Sequence, residues 1–182
     1  MRRCYSAAMP KRQPPLPSIW LVSDARNDAV LERVLLSLPF GCGLIFRHYH
    51  LAPPERAARF AALKRTARRR QHLVALSGSA ATARRWDADA AYGAADKLAR
   101  GPAILRLVTA HSMREIALAR RARADAVLLS PVFPTRSHPG GKSLGPLKFG
   151  LLAARAQVPV IALGGMNARA ARRIGAKQWA AI

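Results

Sequence analysis

The stretch 126–167 constrains this chain more than any other. It holds two continuous apolar runs, Ala126-Val127-Leu128-Leu129 and Val158-Pro159-Val160-Ile161-Ala162-Leu163, separated by a Gly/Pro/Ser loop and a short helical segment. Runs of this kind predict parallel strands buried on both faces, because a strand with one wet face alternates apolar and polar residues. Each run ends in turn-forming or hydroxyl residues: Ser130-Pro131-Val132-Phe133-Pro134-Thr135 after the first, Gly164-Gly165-Met166-Asn167 after the second. Polar residues gathered where strands stop are what a parallel barrel places at its C-terminal mouth.

The same punctuation recurs along the chain. Strands are predicted at 18–23, 44–47, 73–77, 90–93, 104–109 and 177–182, in addition to the two runs above. Between them lie helical signals. Asn27 resembles an N-cap before Val30, Leu31, Val34, Leu35 and Leu38 at helical spacing, and Pro53-Pro54 opens a helix over 53–70. Ser79 is placed to cap a short helix, and Ser112-Met113-Arg114-Glu115 reads as a capping box. Pro146 suits a first helical turn, while Asn167 and Gly175 bracket a last helix as cap and stop. Eight strands alternating with helices predict an α/β fold, a (β/α)8 TIM barrel, with an open doubly wound sheet as the alternative.

At 182 residues the chain is short for that barrel, where ~250 is typical. It stops at the eighth strand, so the outer ring is expected to lack its last helix. Leu21, Trp179 and Ile182 would then lie on an open edge, and a second copy covering it would make a homodimer. Residues 1–17 read as a basic, Pro-rich, disordered leader and 18–182 as one barrel domain. The leader has no apolar core of a secretory signal, and no run approaches the ~20 residues of a membrane-spanning helix. Cys4 and Cys42 make neither a disulfide framework nor a metal-ligand spacing, so a cytoplasmic setting is expected.

The formal net charge is +22, carried by 25 Arg and six Lys against nine acidic residues. A solvated basic surface accounts for it without a ligand; a functional account needs anionic partners, namely phosphorylated substrates, nucleic acid or a membrane surface. The Arg clusters at 68–70, 84–85, 120–121 and 172–173 fall on separate helices, and aromatics are only 6%, which leaves few base-stacking platforms. Nucleic-acid binding therefore ranks last, and small phosphorylated ligands rank first.

The motifs after the sixth and seventh strands resemble those of the thiamine phosphate synthase/TenI family, and the resemblance runs over 19–182. It implies a barrel enzyme of thiamine biosynthesis that joins a pyrimidine pyrophosphate to a thiazole phosphate and releases pyrophosphate. Such chemistry stabilises a departing anion with cations, phosphate cups and Mg2+ more than it uses a protein nucleophile. The resemblance assigns the pyrophosphate and reacting region to Arg47, Thr109 and Thr135, with Ser130, His111, His138 and Lys142 as further substrate contacts. Gly164 and Gly165 form the phosphate cup, completed by backbone near Ala181; glycines let the backbone approach an anion closely. A tight turn also explains the glycine pair, and a helix-cap position also explains His111. If the cup reading holds, Gly165→Val is expected to weaken phosphate binding more than folding.

The first half departs from the family pattern. Arg47-His48-Tyr49 stands where the family has Arg-Glu-Lys, and Ser77-Gly78 stands where it has Asn-Asp. One Mg2+ carboxylate is thereby absent. Asp96 aligns with the second metal aspartate when Gly93 is paired with the family glycine, and reads otherwise as a solvated helix residue. These departures carry the second reading, a catalytically degenerate phosphate-ligand-binding or regulatory barrel. Ser130-Pro131 stands where related thiazole tautomerases carry a histidine, which disfavours that activity.

Overall fold

Alternate residues of each strand feed two separate cores. In β2 (Gly43–Phe46) every position is buried. Ile45 joins an inner cluster with Trp20, Leu107, Leu128 and Ile161, whereas Leu44 and Phe46 join an outer one with Phe60 and Leu63. This period-two division, buried on both sides, is what the continuous apolar runs encode.

The structure, a computed structural model, describes residues 15–135 and 140–182. Its other strands are β1 (Ile19–Val22), β3 (Leu73–Ser77), β4 (Ala90–Gly93), β5 (Leu105–Ala110), β6 (Ala126–Leu129), β7 (Val160–Leu163) and β8 (Trp179–Ala181). They form a closed parallel barrel in sequence order. It is sealed where Ile19, Trp20 and Leu21 pair with Trp179, Ala180 and Ala181. The open-sheet alternative is therefore excluded. Helices α1 (Leu31–Ser37), α2 (Pro53–Arg68), α3 (Ala80–Arg85), α4 (Ala95–Leu98), α5 (Met113–Arg121), α6 (Gly145–Ala154) and α7 (Ala168–Arg173) follow successive strands. No helix among the described residues is long and apolar enough to cross a membrane.

The inner core mixes large residues with alanines. Trp20 is fully buried, and the cluster it belongs to also contains Ala75, Ala90, Ala126 and its in-register partner Ala180. Trp20 pairs in register with Gly43, where a Cβ would run into the indole ring. The indole Nε1 donates to the Pro17 carbonyl at 2.8 Å, and Gln178 Nε2 donates to the Leu16 carbonyl at 3.2 Å. Leu16 and Pro17 are thus tied to the barrel by their carbonyls. The rest of the leader call, residues 1–14, lies outside the described residues.

Local chemistry sets most element boundaries. Ser79 Oγ accepts from the Thr82 amide, Ser112 Oγ from the Glu115 amide and Asn167 Oδ1 from the Ala170 amide, each at the start of its predicted helix. Glu115 reaches back to the His111 amide at 2.9 Å, one residue before the position a capping box uses. Asn27 does not cap. Its side chain turns back instead, accepting from the Asp24 amide and donating to the Val22 carbonyl, so it braces the exit of β1. The helix begins through a 3-10 turn, Asp28–Val30. At the seam, Leu21 and Trp179 are half-buried and Ile182 is 41% exposed.

Candidate active site at the barrel mouth

Two compartments meet at the C-terminal mouth. The first, about 580 Å³, is lined by Arg26 and Asn27 after β1, Thr135, Gly164 and Gly165 after β7, and Ala181 at the end of β8. The second, about 430 Å³, is lined by Arg47, Tyr92, Thr109, His111, Ser130 and Lys142. Thr135, Leu163, Gly164 and Ile182 border both. Residues from scattered strand ends and the loops that follow them thus surround one space, because all parallel strands finish on the same side.

The glycine pair has a steric reason to be there. Gly164 and Gly165 lie at φ +93 and +63, a region that side chains disfavour. A Cβ on Gly164 would sit 2.6 Å from Pro131 Cβ, and one on Gly165 would sit 2.7 Å from both Phe133 Cβ and the Pro134 carbonyl oxygen. Val132 donates to the Leu163 carbonyl and Phe133 to the Gly164 carbonyl, which laces the β6 loop onto the β7 turn. The glycines therefore bring the two motifs together and also line the first compartment. A side chain at Gly165 would therefore strain the fold as well as the cup.

Around the second compartment the side chains are held by their neighbours. His111 Nδ1 lies 2.6 Å from the Ser130 carbonyl oxygen. The Arg47 amide donates to Ser23 Oγ at 2.9 Å, and its carbonyl accepts from Arg56 Nε and Nη2. Ser23 Oγ is also 2.8 Å from His48 Nδ1, and His48 Nε2 is 2.7 Å from Asp28 Oδ1. Ser23 and His48 are buried, with His48 stacked parallel on Phe46, so this chain of bonds fixes the β1 and β2 exits rather than offering a nucleophile. Tyr92 is 6% exposed, and burial pushes its hydroxyl up to about 12, with Arg47 opposing the shift. It presents a neutral phenol at ordinary pH. Asp24 is held down at about 2, chiefly by its hydrogen bond from Arg26 and in part by Arg47.

Arg47, Thr109, Ser130, His111 and Lys142 come together as the sequence suggested, and Thr135, Gly164, Gly165 and Ala181 line the adjoining cup. His138 lies outside the described residues. Asp96 is exposed on α4 and lines neither compartment. The sequence reading missed Arg26 and Tyr92, although both follow its own rule that mouth residues stand at or just after strand ends.

The donors present do not fit a protein-held Mg2+. Among the described residues no three His, Cys, Asp or Glu side chains gather to hold a metal. At the β3 exit the Ser77 hydroxyl is 2.5 Å from the Tyr49 hydroxyl, and the Ser77 carbonyl accepts from Arg56 Nη2 at 2.7 Å. Asp24 is engaged by Arg26 through both carboxylate oxygens.

Known proteins share this shape and parts of this sequence. A putative thiamine-phosphate synthase 2 from Aquifex aeolicus is 36% identical over 59 residues, a match that spans 32% of this chain and 32% of that relative. The thiamine phosphate pyrophosphorylase structure from Pyrococcus furiosus superposes with a TM-score of 0.77 at 20% identity, covering 92% of this chain and 85% of that one. A thiamine phosphate pyrophosphorylase from Bacteroides thetaiotaomicron gives 0.59 at 14% identity over 91% and 82% of the two chains. A HpcH/HpaI aldolase/citrate lyase family protein from Burkholderia cenocepacia gives 0.62 at 15% identity over 90% and 87%, so these likenesses establish the barrel alone. The family model described as thiamine monophosphate synthase, TMP-TENI, matches residues 19–182, nearly the whole described barrel. The chain belongs to the thiamine monophosphate synthase family.

Proposed function

We propose that this chain is a thiamine phosphate synthase-like transferase that joins a pyrimidine pyrophosphate to a thiazole phosphate in the cytoplasm. One observation carries the reading: a glycine-lined cup and a cation-lined compartment share a wall at Thr135 and Gly164. Two phosphorylated substrates seated on either side of that wall would meet at it.

In this reading the bond between the pyrimidine methylene carbon and the pyrophosphate oxygen breaks, and its electron pair leaves on the pyrophosphate. The thiazole nitrogen then supplies the pair for the new carbon–nitrogen bond. Arg47 and Lys142 offset the charge on the departing group, and cations placed before the reaction do so without reorganising. The neutral Tyr92 hydroxyl and the Thr109 and Ser130 hydroxyls orient the pyrimidine. Gly164, Gly165 and the Ala181 backbone hold the thiazole phosphate. Holding both partners in one geometry supplies much of the rate such a site needs.

The test is direct. Thiamine phosphate formation from the two substrates, followed with and without Mg2+, is expected to be enzyme-dependent. A specific feature favours a second reading, a barrel that binds phosphorylated ligands without turnover: Tyr49 and Ser77 close the β3 exit where the resemblance expects a carboxylate. Tight binding of both substrates with no product would select that reading and end the first.

A further inference from the structure

Resting on that reading, we infer that the mouth takes its pyrophosphate group as the metal-free anion, with protein cations standing where the family resemblance implies Mg2+. A divalent ion that bridges a phosphate ligand to a protein needs oxygen donors from the protein side, commonly one or two carboxylates. Among the described residues, the lining of the two compartments contains Arg26, Arg47, His111 and Lys142 and no aspartate or glutamate.

The corner between β2 and β3 is closed to a cation by its own chemistry. One guanidinium, that of Arg56, donates to the carbonyl oxygens of both Arg47 and Ser77. Tyr49 takes the Ser77 hydroxyl, and the Arg47 guanidinium carbon lies 5.5 Å from the Tyr49 ring centroid. Every oxygen of Ser77 is therefore already bonded, and a fixed positive charge sits at the corner. A divalent ion placed there would meet repulsion from Arg56 with no anionic ligand to offset it.

Free pyrophosphate is more negative than its Mg2+ complex, so a site built of cations prefers the free form. Mg2+ in solution then competes with the protein for the ligand. The glycine at position 78 offers a reverse test. A Cβ there would meet nothing nearer than Thr82 Cβ at 3.9 Å, so a side chain can start at this β3 exit without a clash.

Inorganic pyrophosphate is the probe, titrated calorimetrically into the full chain in EDTA and again in millimolar MgCl2 at matched ionic strength. We expect binding in EDTA that Mg2+ weakens about threefold or more, and a loss of about tenfold in EDTA for Arg47→Ala. Gly78→Asp, checked for folding by a thermal melt, is expected to reverse the sign so that Mg2+ strengthens binding. Wild-type binding that requires Mg2+ overturns the inference and leaves the proposed function standing. No binding under either condition overturns both. A folded Gly78→Asp chain still weakened by Mg2+ overturns the assignment of the β3 exit as the altered metal corner.

Discussion

His111 Nδ1 donates its proton to the carbonyl oxygen of Ser130 across 2.6 Å, joining the β5 exit to the β6 exit. A carbonyl only accepts, so the proton must sit on Nδ1 and Nε2 becomes the ring's other hydrogen-bonding atom. His111→Ala is expected to lower kcat/KM about tenfold, or about 1.4 kcal/mol. His111→Asn, whose amide nitrogen can replace Nδ1 as donor, should recover part of that loss. Equal loss in both variants would show that the Ser130 bond is not what matters.

The cup requires a different test from the one its sequence suggested. Because a side chain at Gly165 collides with Phe133 and with the Pro134 carbonyl, even Gly165→Ala should lower the melting temperature along with phosphate affinity. Strain at a positive-φ glycine commonly costs about 1–3 kcal/mol. A Gly165→Ala chain with an unchanged melt would contradict the packing described for this turn.

Inside the barrel, Gly43→Ala is expected to destabilise the fold by about 1–3 kcal/mol, since the added methyl meets the buried Trp20 ring and overpacks the core. Urea denaturation read by tryptophan fluorescence measures it. The double variant Gly43→Ala, Trp20→Phe should regain part of the loss, because the smaller ring leaves room for the methyl.

Acid stability has a contribution with a defined sign. Asp24 titrates at about 2 in the fold against an ordinary 3.8, so the fold favours its ionised form. Its stabilisation is full above the ordinary value and disappears as pH falls from about 4 towards 2. Arg26 is a local partner that an unfolded chain also offers, so the fold-specific share comes from Arg47. Asp24→Asn should flatten melting temperature against pH in that window. An unchanged acid limb would show that other carboxylates govern it.

The arginines imply little affinity for nucleic acid. The clusters lie on or at the ends of α2, α3, α5 and α7, and Arg68 among them holds Asp89, while Arg59 elsewhere on α2 holds Asp28 and Glu32. Binding to random duplex DNA should be weak and lost near physiological salt. Tight, sequence-preferring binding at that salt would refute this.

What the sequence made legible is what depends on near neighbours. β3 and β4 fall where the apolar runs and flanking polar residues place them, and the caps at Ser79, Ser112 and Asn167 form because their partner amides are three residues away. Asp96 reads as a helix residue, but the sequence sets no bounds for α4 because four residues with a single buried Leu98 carry no periodicity. Asn27 misled because the same side chain serves a cap or a strand-exit brace, and only the position of Val22 decides. The Arg56 contacts with Arg47 and Ser77 join a helix to two strand ends, which no local pattern records. Strand-end polarity assembled much of the candidate site, while its electrostatic character depends on such long-range bonds.

The seam between β1 and β8 also has a consequence in time. Its pairs, such as Ile19 with Trp179, join residues at opposite ends of the barrel sequence, whereas every other seam joins consecutive strands. Contacts so distant along the chain carry the largest loop-closure entropy and are expected to form late in folding. On a ribosome, the strands from β1 to β7 would emerge and pair before the closing strand exists, leaving Trp20 in an unsealed barrel. A stopped-flow refolding experiment should therefore show Trp20 emission reaching its final value only in the last phase, after most helical signal has returned.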